Sequence, residues 1–333
     1  MPGSDHRVLV THWVHPEVLT LLESHCTVRG NPERDTWSPA QVRAAARDCD
    51  AMIAFMPDTV DEAFLADCPR LKIVAAALKG SDNFDIEACT RRGIWFTRVP
   101  DLLTVPTAEL ALGLMIGVAR HVLAGDDHIR SGSFAGWRPA LYGTGLHGAT
   151  LGLIGLGAVG RALAERASAC GMKIVYTDPL PPAANWDGRR TAEAVPFEAL
   201  LACSDYVLPL VHLMPSTRHL INAAALARVK RGAYLVNAGR GSVVDEAAVA
   251  ASLAAGHLAG YAADVFEMED WALEARPRTI HPALLADRAR TLFTPHLGSA
   301  VDAVRRDIAL EAAHSVLDVF AGRCPRGAMN LLS

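Results

Sequence analysis

A chain of 333 residues, 51% hydrophobic and 20% charged, is long enough for two domains with their own cores and too apolar to stay disordered. Its net formal charge of −4, from 32 Lys and Arg against 36 Asp and Glu, supplies no basic surface for nucleic acid or an anionic membrane. Seven cysteines stand singly, with no C-x-x-C pair, which reads as buried thiols in a reducing cytoplasm rather than a metal site or a disulfide framework. The only apolar run near the N-terminus, Val8-Leu9-Val10, is too short for a signal-peptide core.

Short apolar runs rich in Val, Ile and Phe predict strands at Val8–Thr11, Ala51–Phe55, Ile73–Ala77 and Ile94–Thr97. Helical stretches lie between them. One opens with Ser38 as N-cap, Pro39 next and Gln41 three residues after the cap; another spans about Asp85 to Arg92 and stops at Gly93. Such alternation implies parallel strands with crossover helices on both faces. Past a proline-marked link, Val99 to Pro106, an apolar helix is expected from Thr107 to Ala124. Residues 139–160 carry no formal charge over a span-like length, yet seven glycines and Pro139 make them a loop, a buried strand and a turn rather than a membrane helix.

A second alternating series follows, with strands at Leu151–Ile154, Ile174–Tyr176, Tyr206–Leu210, Tyr234–Asn237, Tyr261–Val265 and Leu292–Thr294, then a helix from about Ala300 to Phe320. That last helix cannot extend the second sheet, so it is expected to return to the first. The predicted architecture is α/β: two doubly wound parallel-sheet domains, with residues 103–298 inserted into a discontinuous domain made of 1–102 and 299–333.

Gly155-Leu156-Gly157-Ala158-Val159-Gly160 is a G-x-G-x-x-G between a strand and a helix, and Asp178 follows the next strand, 18 residues past the last glycine. This is the dinucleotide-binding arrangement, in which the glycines bring backbone close to a pyrophosphate at a helix N-terminus. Asp178 is expected to accept from the adenosine ribose hydroxyls, which favours NAD over NADP. Arg240, Asp264 with Glu269, and His296 follow three later strands, so their side chains should converge where the strands' carboxyl ends border a ligand crevice. Lys79 follows the strand Ile73–Ala77 and is expected to face a cleft between the domains.

These residues resemble the NAD-dependent D-2-hydroxyacid dehydrogenases over essentially the whole chain. The glycine fingerprint, Gly239-Arg240-Gly241, the Glu five residues after Asp264 and Thr294-Pro295-His296-Leu297-Gly298 carry the likeness. The resemblance implies a Rossmann NAD-binding domain within a flavodoxin-like substrate domain, a homodimer built through an arm at about 107–150, and catalysis by Arg240, Glu269 and His296. Within the family, Phe55 to Asp58, Ala77-Leu78-Lys79-Gly80 and Gly260 to Trp271 look like the branch that oxidises phosphite. That likeness implies hydride transfer from phosphite, a small inorganic dianion, to NAD, with Lys79 and Arg240 supplying two cations and His296 taking the proton of the attacking water. It also assigns Lys79, Gly80, Met56, Trp137, Tyr142 and Ser299, besides Arg240 and His296, to the substrate. Thr107, Gly155, Gly157, Ala158, Val159, Gly160, Asp178, Pro179, Ala238, Gly239, Arg240, Asp264 and His296 are assigned to the cofactor. The alternatives are a D-2-hydroxyacid or glyoxylate dehydrogenase with the same Arg, Glu and His, and an NAD-sensing corepressor on the same fold.

Overall fold

The computed structural model describes residues 5–181, 186, 192–271, 273 and 275–332. The chain divides into two compact units, one of Met1–Leu103 with Ala300–Ser333 and one of Thr104–Ser299.

The first unit alternates β1 (Arg7–Val10), α1 (Pro16–Glu23), β2 (Thr27–Gly30), α2 (Pro39–Ala46), β3 (Ala51–Ala54), α3 (Glu62–Asp67), β4 (Ile73–Ala76), α4 (Ile86–Arg91) and β5 (Trp95–Arg98). The strands form one parallel sheet in the order β2-β1-β3-β4-β5, which is doubly wound. β1, β3 and β4 are almost wholly buried because helices cover both faces. Met52, Val74, Phe96 and Leu65 pack on one face; Val8, Val10, Ile53 and Ile73 pack on the other with the final helix of the chain. The Ser38 capping box forms as expected: Ser38 Oγ accepts from Gln41 N, and Gln41 Oε1 accepts from Ser38 N at 2.8 Å. β2 was not expected, because its residues are mostly exposed at a sheet edge and lack an apolar run.

The second unit begins with α5 (Thr104–Ala119) and α6 (Val122–Arg130), followed by β6 (Thr150–Ile154), α7 (Ala158–Ala169), β7 (Lys173–Thr177), β8 (Ala192–Ala194), α8 (Phe197–Cys203), β9 (Tyr206–Pro209), α9 (Ala223–Arg228), β10 (Tyr234–Asn237), α10 (Glu246–Ala254), β11 (Gly260–Ala263), α11 (Pro282–Ala286) and β12 (Thr291–Phe293). The expected single helix over 107–124 is therefore two, bent by 63°, with His121 at φ +51° at the break. Among the described residues no single helix is long and apolar enough to cross a membrane. The strands form a parallel sheet in the order β12-β11-β10-β9-β6-β7-β8. Its order reverses between β6 and β9, the topological switch point at which such sheets bind ligands. α5 and α7 cover one face through Ala108, Leu114, Met115 and Leu163, while α8, α9 and α10 cover the other through Leu200, Leu226 and Val249.

α12 (Asp302–Phe320) belongs to the first unit and buries Ile308, Ala309, Ala312, Ala313 and Val316 against its sheet. All seven cysteines are free thiols. Cys203 and Cys324 are exposed, which corrects the expectation of uniformly buried thiols; they lie where a helix ends and in the turn beyond α12. Burial pushes the Cys26 and Cys68 thiols up to about 11 and Cys89 up to about 12.

Candidate active site

Because the strands of the second sheet run parallel, the residues following them gather along one edge. Gly155 follows β6 at φ +98°, a left-handed value that an L side chain resists, and a Cβ there would meet the Leu210 carbonyl oxygen at 2.9 Å. A Cβ on Gly160 would lie 2.6 Å from the Gly155 carbonyl oxygen, so the third glycine lets α7 begin directly against the turn. Gly157 is different. It is exposed, nothing lies within 4 Å of a Cβ added to it, and as N-cap of α7 it offers no side chain to the first-turn N–H groups. An uncapped helix N-terminus beside open space fits a pyrophosphate.

Asp178, just past β7, reaches back to this turn. Its Oδ2 accepts from Leu156 N at 2.7 Å and its Oδ1 from Leu180 N at 2.8 Å. The carboxylate thus braces the glycine turn, and each oxygen keeps a second lone pair for a hydroxyl donor. Pro179 is exposed beside it; Ala158 and Val159 are half-buried in the first turn of α7.

Arg240 lies three residues beyond β10, half-buried, and its Nη1 donates to the Gly239 carbonyl at 3.0 Å. Asn237 shapes this turn: its Nδ2 donates to Arg240 O at 2.9 Å and its Oδ1 accepts from Gly239 N at 3.1 Å. Gly241 is required here because a Cβ would run into the Phe266 carbonyl. The turn bearing Arg240 therefore packs backbone to backbone against the one bearing Glu269.

Glu269 ends a short 3-10 turn, Glu267–Glu269. Its Oε1 accepts from Phe266 N at 2.6 Å and its Oε2 meets His296 Nδ1 at 2.6 Å. A proton held on Nδ1 at this contact leaves Nε2 as the ring nitrogen able to exchange one. His296 adopts φ +55°, a backbone state costing an L-residue about 1–2 kcal/mol. Asp264 holds it there. The Asp264 carboxylate accepts from Thr294 Oγ1 at 2.6 Å, Leu297 N at 2.6 Å and Gly298 N at 2.8 Å, and its carbonyl accepts from His296 N at 2.9 Å. Burial raises the pKa of Asp264, and these donors with the nearby imidazole pull it back. Asp264 is thus the anchor of the histidine loop. Thr107, on the first turns of α5, lies against the same loop, its Oγ1 3.2 Å from a Cβ built on Gly298. Ser299 follows, half-buried.

The structure brings together Arg240, Glu269, His296, Asp264 and Thr107 in the second unit. Trp137 and Tyr142 lie in a stretch without helix or strand, 84% and 78% exposed within this chain. In the first unit, Met56 and Lys79 follow β3 and β4 at the carboxyl edge of that sheet, both half-buried, with Gly80 buried; Met56 O accepts from Asn83 Nδ2 at 2.8 Å. Sequence reasoning overlooked Asp270 and Ser242, which join the two turns, and the pair Glu246 and Glu267, whose carboxylates each accept the other's backbone N–H at 3.0 Å. Only the position of Asp270 beside Glu269 hinted at any of this.

The family model for the D-isomer specific 2-hydroxyacid dehydrogenase NAD-binding domain matches residues 112–298. A glyoxylate reductase of Thermococcus litoralis is 38% identical over 291 residues, covering 85% of this chain and 84% of that protein. A glyoxylate reductase of Korarchaeum cryptofilum is 34% identical over 97% of this chain and 96% of its own. Among solved structures, a glyoxylate reductase from Paecilomyes thermophila superposes with a TM-score of 0.82 at 27% identity, covering 99% of each chain.

These relatives overturn the expectation of phosphite as substrate. A buried dianion requires a second cation, but a second cation is equally compatible with a monocarboxylate, so Lys79 does not discriminate between them. What the relatives share with the chain is sequence over most of its length, and they are named for glyoxylate. An NAD-binding domain matched over more than half the length, with relatives this similar from end to end, makes the chain a member of the D-isomer specific 2-hydroxyacid dehydrogenase family.

Proposed function

We propose that the chain reduces the carbonyl of glyoxylate or a similarly short 2-oxo acid to the 2-hydroxy acid, and runs the reverse oxidation when product is in excess. The observation that carries this reading is the 2.6 Å pair of His296 Nδ1 with Glu269 Oε2, on the two strands that succeed Arg240's in the sheet. NADH, when bound, supplies the hydride to the carbonyl carbon. Arg240 grips the substrate carboxylate through its planar fork, worth about 1.5–3 kcal/mol for a charge-assisted contact. His296 Nε2 delivers a proton to the carbonyl oxygen as charge develops on it, and the imidazole returns to its neutral form. Glu269 keeps the tautomer and ring orientation and stabilises the imidazolium before transfer.

Gly155, Gly157, Ala158, Val159, Gly160, Asp178, Pro179, Ala238, Gly239 and Thr107 are proposed to line the cofactor, and Met56, Lys79, Gly80 and Ser299 the substrate. Val122, Ile129, Phe134 and Leu141 are exposed apolar side chains of the 107–150 arm, which supports pairing of two copies through it. Trp137 and Tyr142 belong to the same arm.

The test is NADH consumption with glyoxylate, hydroxypyruvate and pyruvate as acceptors. Turnover of at least one, lost on replacing His296, supports the reading; no turnover of any refutes it.

A further inference from the structure

In the turn that carries Glu269 the next residues are Asp270 and Trp271. Asp270 is not a surface acid. It is 8% exposed, and its Oδ2 accepts from Ser242 N at 2.6 Å, with the Ser242 hydroxyl as a second donor. Ser242 is itself buried, two residues past Arg240, and Asp270 directly follows Glu269.

A buried carboxylate without partners is costly, so its location is informative. Burial raises the pKa of Asp270; the Ser242 donors and the Arg240 guanidinium lower it, and Glu269 raises it further. The charges facing it are thus the two functional groups of the site. Backbone contact already sets the two turns against each other at Gly241 and Phe266, but that contact limits only how closely they approach. Hydrogen bonds are directional and resist sliding and rotation as well, and the Asp270–Ser242 bonds run between the same two turns.

We propose that Asp270 is a positioning residue that sets the distance and angle of Arg240 relative to the Glu269–His296 pair. It thereby aligns the carboxylate clamp with the proton donor. This inference rests on the reading of the site as a 2-oxo acid reductase. Asn preserves the acceptor oxygen that Ser242 N–H uses, Ala removes it, and Glu keeps the charge while displacing the oxygen by one methylene.

The experiment compares Asp270→Asn, Asp270→Ala and Asp270→Glu by glyoxylate kinetics and by amide hydrogen exchange over residues 240–244 in the complete protein. Positioning predicts that Ala and Glu raise KM for glyoxylate at least tenfold with a smaller change in kcat, and that Asn stays within threefold of the parent. Protection at Ser242 should fall in Ala and Glu but persist in Asn. A merely structural residue would lower the active fraction, and with it the apparent kcat, at unchanged KM. The proposal is overturned if Asn is as impaired as Ala, if Glu behaves as the parent, or if Ser242 exchange does not respond. Exchange requires no substrate. Should the parent protein reduce no 2-oxo acid while Ser242 protection still follows the pattern, the functional reading fails and the tie between the turns stands.

Discussion

Replacing Asp58 with Asn isolates the energetic cost of one buried carboxylate in the first unit. Asp58 is 4% exposed beyond β3; its Oδ2 accepts from Thr11 Oγ1 at 2.5 Å and from Phe55 N at 2.7 Å, and His12 Nδ1 stands 3.9 Å away. Burial pushes its pKa from 3.8 up to about 6, against the pull of those two donors. His12 offers little compensation, because burial lowers its own pKa and disfavours the imidazolium. A raised pKa means the folded state holds the proton more tightly than the unfolded chain does. The stability linked to Asp58 is therefore fully present below about 3.8 and is lost as pH rises through about 6. Between pH 4 and pH 7.5 that loss is about 2 kcal/mol, out of about 3 kcal/mol reckoned from well below the unfolded pKa. Asn keeps the oxygen that both donors use but does not titrate. Its fixed costs, including burial of an amide NH₂, are the same at every pH, so they cancel in the comparison. Urea unfolding of both proteins at pH 4 and pH 7.5 should show the Asn variant gaining about 2 kcal/mol relative to the parent across that interval. A difference between the two proteins that does not change with pH would refute the reasoning.

Three further outcomes follow from the second unit. Arg240→Lys replaces a planar fork by a point charge, and KM for glyoxylate should rise about 10- to 100-fold in steady-state kinetics, an increase larger than any fall in kcat. Glu269→Gln keeps the size of the side chain but no longer selects the His296 tautomer or stabilises the imidazolium; kcat should fall about 100-fold or more with the thermal midpoint nearly unchanged. Gly241→Ala drives a methyl group into the Phe266 carbonyl, so urea unfolding should show a loss of at least about 2 kcal/mol together with lost activity.

The parts of the fold legible in the sequence are those governed by local chemistry. Central strands such as Ala51–Ala54 and Ile73–Ala76 are continuous apolar runs because helices cover both of their faces, and the glycine turn announces itself by its spacing between a strand and a helix. Two edge strands are not legible in this way, whereas the opposite edges, Trp95–Arg98 and Thr291–Phe293, bury residues and are. Thr27–Gly30 and Ala192–Ala194 bury little, so nothing in their composition separates them from loop. The break at His121 likewise carries no Gly or Pro to mark it.

Legibility of the site followed the same division. Strand order places Arg240, Asp264 and His296 on one edge, yet the pairing of His296 with Glu269 spans 27 residues and came from family resemblance rather than from pattern. Asp178 was expected to serve a ribose; that its carboxylate also braces Leu156 and Leu180 is a backbone matter that no spacing rule encodes. The tie between Asp270 and Ser242, 28 residues apart, was invisible for the same reason. The phosphite expectation rests on a likeness of short stretches and on two cations, and a count of cations bounds the charge a site can hold without specifying the charge it does hold.

The most direct test of the account is to follow NADH loss and glycolate formation together, with glyoxylate as acceptor, for the parent protein and for His296→Gln. The account predicts one glycolate formed for each NADH consumed, and a fall of about 100- to 10,000-fold in kcat when the imidazole is absent. Equal rates for the two proteins, or NADH loss without glycolate, would contradict it.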